Sequence, residues 1–158
     1  MRSLKQRTII GWREWVVLPE LGVEAVKAKT DTGARTSALH AFDISTVSRE
    51  GRSFACFVVH PLQRTAARAL RVEAEIIDER TVTNSGGHAE SRPVILTTME
   101  LAGQSFSIEI SLTDRDVMGF RMLLGREALK SRFLVDPARS FFAGRAGKPK
   151  KNPKVVLL

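Results

Sequence analysis

Asp31 heads the run Asp31-Thr32-Gly33-Ala34-Arg35-Thr36-Ser37-Ala38-Leu39 and follows the stretch 25–28, which reads as a strand. A carboxylate at a strand end, followed by a turn-permissive residue, can be presented rigidly into a cleft. Gly33 lets the backbone come close and offers an N–H to the carboxylate. Thr32 can hydrogen-bond across a symmetric contact, and Ala34 keeps the site narrow. An aspartate framed in this way is held rather than solvated, as acid–base work on water requires. Asp-Thr-Gly alone is a weak signal, because three residues recur by chance and commonly form a solvated turn.

The elements that must position Asp31 are mostly strands. Short β-like runs cover 16–19 and 26–29, around a turn near Leu21-Gly22. Further strands are predicted over 38–44, 54–59 and 70–76, the last with period-two alternation. A hairpin joins 93–98 to 106–112 around Ala102-Gly103-Gln104. Met122-Leu123-Leu124-Gly125-Arg126 ends an apolar strand in a glycine and opens a short candidate helix over 125–132. Residues 63–69 could add one helical turn. Many short strands with turn signals between them predict an all-β sandwich or barrel.

Taken together, these segments resemble the retropepsin-like aspartic peptidases known as ATP-dependent zinc proteases. The carriers are the runs 27–41 and 123–129 with His60-Pro61-Leu62, Ser111-Leu112-Thr113-Asp114-Arg115 and Phe133-Leu134-Val135-Asp136-Pro137. The likeness covers roughly residues 11–144. It implies a closed, all-β, retropepsin-like barrel (the acid-protease fold) with one short C-terminal helix. Residues 1–143 would form the peptidase domain and 144–158 a basic tail. It also implies a proteolytic role in ribosomal protein modification, beside the glutamate ligase that extends a ribosomal protein. Catalysis would fall to Asp31, Thr32 and Gly33. Substrate contacts would fall to Ala34, Arg35, Arg92, Leu124, Gly125 and Arg126, and to a flap whose tip is Asn84-Ser85-Gly86-Gly87-His88. On this alignment the hairpin 42–60 is an insertion relative to a minimal retropepsin.

Aspartic peptidases need two carboxylates that share one proton, and two close carboxyls cannot both ionise cheaply. One Asp-Thr-Gly in 158 residues therefore predicts a homodimer with Asp31 contributed by each copy. Asp114, Asp116 and Asp136 are the in-chain alternatives, read instead as turn, salt-bridge and cap residues. Neither half of the family label finds a motif. No phosphate-cradling glycine loop is present, and His40, His60 and His88 lack metalloprotease spacing. No cofactor and no metal ligand are expected, although Asp31, His40 and His88 could converge on zinc. A non-catalytic peptide-binding module is the other reading.

The composition is globular, 43% hydrophobic and 27% charged. A net charge of +8 favours an anionic partner, such as an acidic peptide substrate, a ribosomal protein or nucleic acid. Arg35, Arg92, Arg115 and Arg126 lie beside the candidate site segments and could fork onto carboxylates. The single cysteine, Cys56, is expected to be a small buried hydrophobe. With no disulfide framework, no apolar run of membrane-spanning length and no signal-peptide pattern, the expected location is cytoplasmic.

Overall fold

The computed structural model describes residues 5–62, 68–84, 86–115, 119–145, 148–149 and 151–158. The strands are β1 (Gln6–Gly11), β2 (Arg13–Leu18), β3 (Val23–Thr30), β4 (Ser37–Arg49), β5 (Arg52–Val59), β6 (Leu70–Thr83), β7 (Ala89–Leu101) and β8 (Gln104–Thr113). Then follow β9 (Met122–Leu124), the four-residue helix α1 (Arg126–Leu129), β10 (Phe133–Asp136), β11 (Gly144–Arg145), β12 (Lys148–Pro149) and β13 (Val155–Leu157). Residues 63–67, where a helical turn was expected, lie outside the described residues.

Period-two alternation builds the core. Val16 and Leu18 of β2, and Ala55, Phe57 and Val59 of β5, turn inward and are fully buried. Their in-between neighbours face outward. Cys56 falls on that outer set and is only half-buried, not the buried hydrophobe its apolar run suggested. Eight strands form one sheet in the order β2-β3-β9-β4-β5-β6-β7-β8. The sheet closes on itself. β8 pairs back onto β4 in parallel, Ser37 opposite Ile110 through His40 opposite Thr113, and β7 meets β2 at Glu100 and Val17. The fold is all-β and retropepsin-like, as the sequence implied.

A second sheet, β10-β1-β13, was not foreseen. β1 runs parallel to β10, Thr8 opposite Phe133, and antiparallel to β13, Gln6 opposite Leu157. The basic C-terminal stretch thus returns to the N-terminal strand. Both pairings join chain ends far apart in sequence, so no local turn announces them. A buried carboxylate ties the same region to the main sheet. Glu14, fully buried, accepts the Gly11 N–H at 2.6 Å, the Phe142 N–H at 2.9 Å and the Ala143 N–H at 3.0 Å. One side chain therefore satisfies three main-chain donors from two segments.

The strand that sets the site is β9. It lies between β3 and β4, parallel to the first (Thr30 opposite Leu124) and antiparallel to the second (Ala38 opposite Leu123). Gly125 ends it against the incoming backbone. A Cβ there would stand 2.6 Å from the Thr36 carbonyl carbon and 2.8 Å from the Arg35 and Thr36 oxygens.

Two stability measurements test these anchors. Glu14→Ala orphans three N–H groups and should lower the unfolding free energy by about 3 kcal/mol or more in urea titrations. A loss below about 1 kcal/mol would mean that water replaces the carboxylate without difficulty. Gly125→Ala overpacks a backbone contact and should cost about 2–3 kcal/mol, whereas an unchanged midpoint would show that β9 can move aside.

Candidate active site

β3 delivers Asp31 to the end of the sheet, and the Asp31 N–H continues the pairing by donating to the Leu124 carbonyl at 2.8 Å. The chain then turns, with Ala34 N–H donating to the Asp31 carbonyl at 3.2 Å. The Gly33 N–H donates to Asp31 Oδ1 at 3.1 Å, the bond expected of that glycine. Asp31 itself is half-buried, while Thr32, Gly33 and Arg35 are exposed.

The opposite side of the loop is held by α1. Arg126 Nη1 donates to the Thr32 carbonyl at 2.9 Å and to the Gly33 carbonyl at 3.0 Å. The main-chain N–H of Arg126 reaches the Ala34 carbonyl at 2.8 Å, and that of Glu127 reaches the Arg35 carbonyl at 3.1 Å. Four consecutive carbonyls are thus satisfied by two residues. Beneath them, the Gly125 N–H donates to Ser37 Oγ at 3.0 Å, and Ser111 Oγ donates to the Ser37 carbonyl at 3.2 Å. The Lys130 ammonium, by hydrogen bond, holds the Glu127 carboxyl below its ordinary range.

An open cleft of about 880 Å³ runs between this loop and the β6–β7 hairpin. Asp31, Gly33, Ala34, Arg35 and Thr36 form one wall, and residues 80–84 with Arg92 form the other. Ala38, Ser111, Arg115 and Leu123 complete the lining. Asp31 is its one carboxylate among the described residues. Two of its arginines are already compensated. Arg80 pairs with Glu109 at 2.7 Å and Asp78 at 2.8 Å, and also donates to Thr36 Oγ1 at 3.1 Å. The hydrogen bond it donates to Glu109 raises its pKa further. Arg92 pairs with Glu90 at 2.9 Å, and Glu90 also accepts the Thr113 hydroxyl at 3.2 Å. Arg35 and Arg115 have no carboxylate within ion-pair distance among the described residues, although the Arg35 charge reaches Glu127.

The hairpin tip is built by Asn84. Its Oδ1 accepts the Gly86 and His88 N–H groups at 3.0 Å each, and Gly87 turns with φ +80°. Ser85 lies outside the described residues. The lining stops at Asn84, so Gly86, Gly87 and His88 sit beyond it. Leu124 and Gly125 are buried behind the loop, supporting it instead of facing the cleft. Arg126 is exposed, but its Nη1 is turned onto the loop. Sequence reasoning overlooked residues 80–83 and Ser111. Each lies on a strand whose alternation signals two faces but not which face meets a cleft.

Of the in-chain alternatives to Asp31, Asp114 and Asp136 do not line the cleft. The Asp114 carbonyl accepts from His40 Nε2 at 3.0 Å, Asp136 Oδ1 accepts the Ala138 N–H at 2.9 Å, and Asp116 is outside the described residues. Zinc does not fit the donor set. Arg121 Nη1 approaches His40 Nδ1 at 3.1 Å and can only donate, so both nitrogens of that ring are engaged. Among the described residues no three His, Cys, Asp or Glu side chains gather closely enough to hold a metal. No helix among them is long and apolar enough to cross a membrane.

Comparison with known proteins agrees with this geometry. A family model described as retropepsin-like aspartic endopeptidase RimB matches residues 9–146. Proteins named probable alpha-L-glutamate ligase are similar in sequence. That of Shewanella pealeana is 46% identical over 139 residues, covering 88% of this chain and 30% of its own length. That of Desulfotalea psychrophila is 44% identical over 142 residues, covering 90% and 31%. The chain thus spans under a third of the curated relatives it matches. The crystal structure of a Legionella pneumophila protein of unknown function superposes with a TM-score of 0.69 at 29% identity, covering 85% of this chain and 96% of that one. With the Asp31 loop, the closed sheet and a family match over most of its length, this chain belongs to the RimB-like family of retropepsin-like aspartic endopeptidases.

Proposed function

We propose that this chain hydrolyses peptide bonds by aspartic chemistry, with Asp31 of two copies forming the catalytic pair. The observation that carries the reading is the Asp31 carboxylate. It stands in an open cleft, accepts the Gly33 N–H, and has no second carboxylate beside it among the described lining residues. A pair of carboxyls brought together by a two-fold axis shares one proton. The ionised member draws a proton from water as it attacks the scissile carbonyl. The protonated member gives its proton to the carbonyl oxygen as that oxygen gains charge. Collapse of the tetrahedral species passes a proton to the leaving amine and regenerates the shared-proton state. The β6–β7 hairpin lies across the cleft from Asp31, where it could close over substrate and exclude water.

The substrate in this reading is an acidic peptide, such as a glutamate-extended ribosomal protein tail. Support comes from two guanidinium groups in the cleft, Arg35 and Arg115, that form no ion pair among the described residues, and from the net charge of +8. The relatives named as glutamate ligases carry a homologous segment within a longer chain, which fits a peptidase that acts alongside glutamate ligation.

Asp31→Asn should abolish cleavage of peptides by purified protein without changing the unfolding midpoint by more than about 1 kcal/mol. A mutant that cleaves as well as the parent removes the aspartic mechanism. Sedimentation should show dimers at the concentrations where cleavage occurs. A monomer that binds acidic peptides without cutting them would make the chain a recognition module. Replacing Arg35 and Arg115 together by Ala should lower kcat/KM for a glutamate-rich peptide about tenfold or more relative to a neutral one. Equal cleavage of both peptides by the parent protein would exclude this source of selectivity.

A further inference from the structure

The geometry points to Arg126 as a positioning residue for Asp31, acting through a single peptide plane rather than by touching substrate. The Thr32 carbonyl and the Gly33 N–H belong to the same peptide unit. In a trans peptide the two point in opposite directions, and the unit is rigid. Arg126 Nη1 holds the carbonyl end at 2.9 Å, and Asp31 Oδ1 receives the N–H end at 3.1 Å. Fixing the first therefore aims the second. The same nitrogen holds the Gly33 carbonyl at 3.0 Å, and the Arg126 main-chain N–H holds the Ala34 carbonyl at 2.8 Å. The next two planes cannot rotate to release the first.

This brace explains why the loop can be exposed and yet ordered. Thr32 and Gly33 are open to solvent, and a turn of small residues in that position has many accessible conformations. A planar guanidinium across two carbonyls removes most of them. Without the bond delivered to Asp31 the carboxylate would swing freely.

The inference rests on the peptidase reading for its kinetic half only. Arg126→Met removes both charge and brace, and Arg126→Lys keeps the charge without the planar fork. The other charged groups that face Asp31 or flank the brace stay in place. They are Arg35 on the same loop, Arg80 and Arg92 on the hairpin, Arg115 after β8, and Glu127 with Lys130 at α1. In both variants kcat should fall about tenfold with KM little changed. The Gly33 amide proton, followed by NMR in the same proteins, should exchange with solvent faster than in the parent as its bond to Asp31 is lost. That reading needs no peptidase activity, so an inactive parent protein overturns the peptidase reading and leaves this test standing. Variants that lose thermal stability but keep the parent Gly33 exchange would reduce Arg126 to a structural residue. A lysine variant with parent exchange and kcat, beside an altered methionine variant, would assign the effect to charge alone. Either result overturns the proposal. If the methionine variant does not fold, the lysine variant decides.

Discussion

The site depends on how tightly β9 is threaded between β3 and β4. Strand partners on both sides leave its C-terminal end no lateral freedom, and the carbonyls of Arg35 and Thr36 press against Gly125 where a side chain would start. That contact brings α1 up against the Asp31 loop, so its first two N–H groups meet the loop carbonyls. The same approach lets Ser37 Oγ take the Gly125 N–H, which locks the beginning of β4 to the end of β9. A larger residue at 125 would separate the loop from its support, and the aspartate would lose the frame that distinguishes it from a solvated turn. The position is glycine for space, not for backbone angle, since its φ of −80° suits any residue.

This division marks what sequence could and could not convey. The Asp31 turn was legible because the chemistry is local: the donor to the carboxylate is two residues away. The Leu123-Leu124-Gly125 segment was legible because an apolar run stopped by glycine just before a helix has few uses. The direction of Arg126 was not, because a guanidinium beside a site can point at substrate, at an acid or at backbone, and only the fold decides. The cleft-facing part of β6 was hidden for a related reason. Alternation separates two faces, but a bulge between Ile76 and Asp78 shifts the register before the strand reaches the site. The β1–β10 pairing joins residues more than a hundred apart, and nothing local in either segment specifies parallel pairing.

The electrostatics of the cleft divide in a similar way. Arg92 looks like a substrate ligand in sequence but is bound to Glu90, and Arg80, which the sequence did not single out, is bound to Asp78 and Glu109. Arg80 also bridges to Thr36 across the cleft, so part of the positive charge fastens the hairpin to the Asp31 loop. A guanidinium already paired with one carboxylate, as in Arg92, or with two, as in Arg80, contributes little further attraction to an anion. The long-range attraction of the cleft therefore comes chiefly from Arg35 and Arg115. Both are exposed, and screening by salt at about 8 Å under physiological conditions would weaken their pull on a distant peptide. Their selectivity would have to act at contact, through forked hydrogen bonds, more than through steering.

The exposure of the loop bears on how a second carboxylate could arrive. In one copy, Thr32 and Gly33 face solvent beside a half-buried Asp31 that accepts the Gly33 N–H and lines the cleft. Among the described residues, an acid from elsewhere in the same chain would have to cross to this loop, and the carboxylates near the cleft are committed. Glu90 is bound to Arg92 and Thr113, Asp78 and Glu109 to Arg80, and Glu127 to Lys130. Recruiting any of them would strand a cation. In the proposed dimer, a two-fold contact between identical loops would meet the requirement without that cost, because it would pair each Asp31 with its own image and each exposed Thr32 with another. The brace on the far side of the loop would then have a second use. Two loops that must meet within hydrogen-bonding distance do so at less entropic cost when each is already fixed by Arg126.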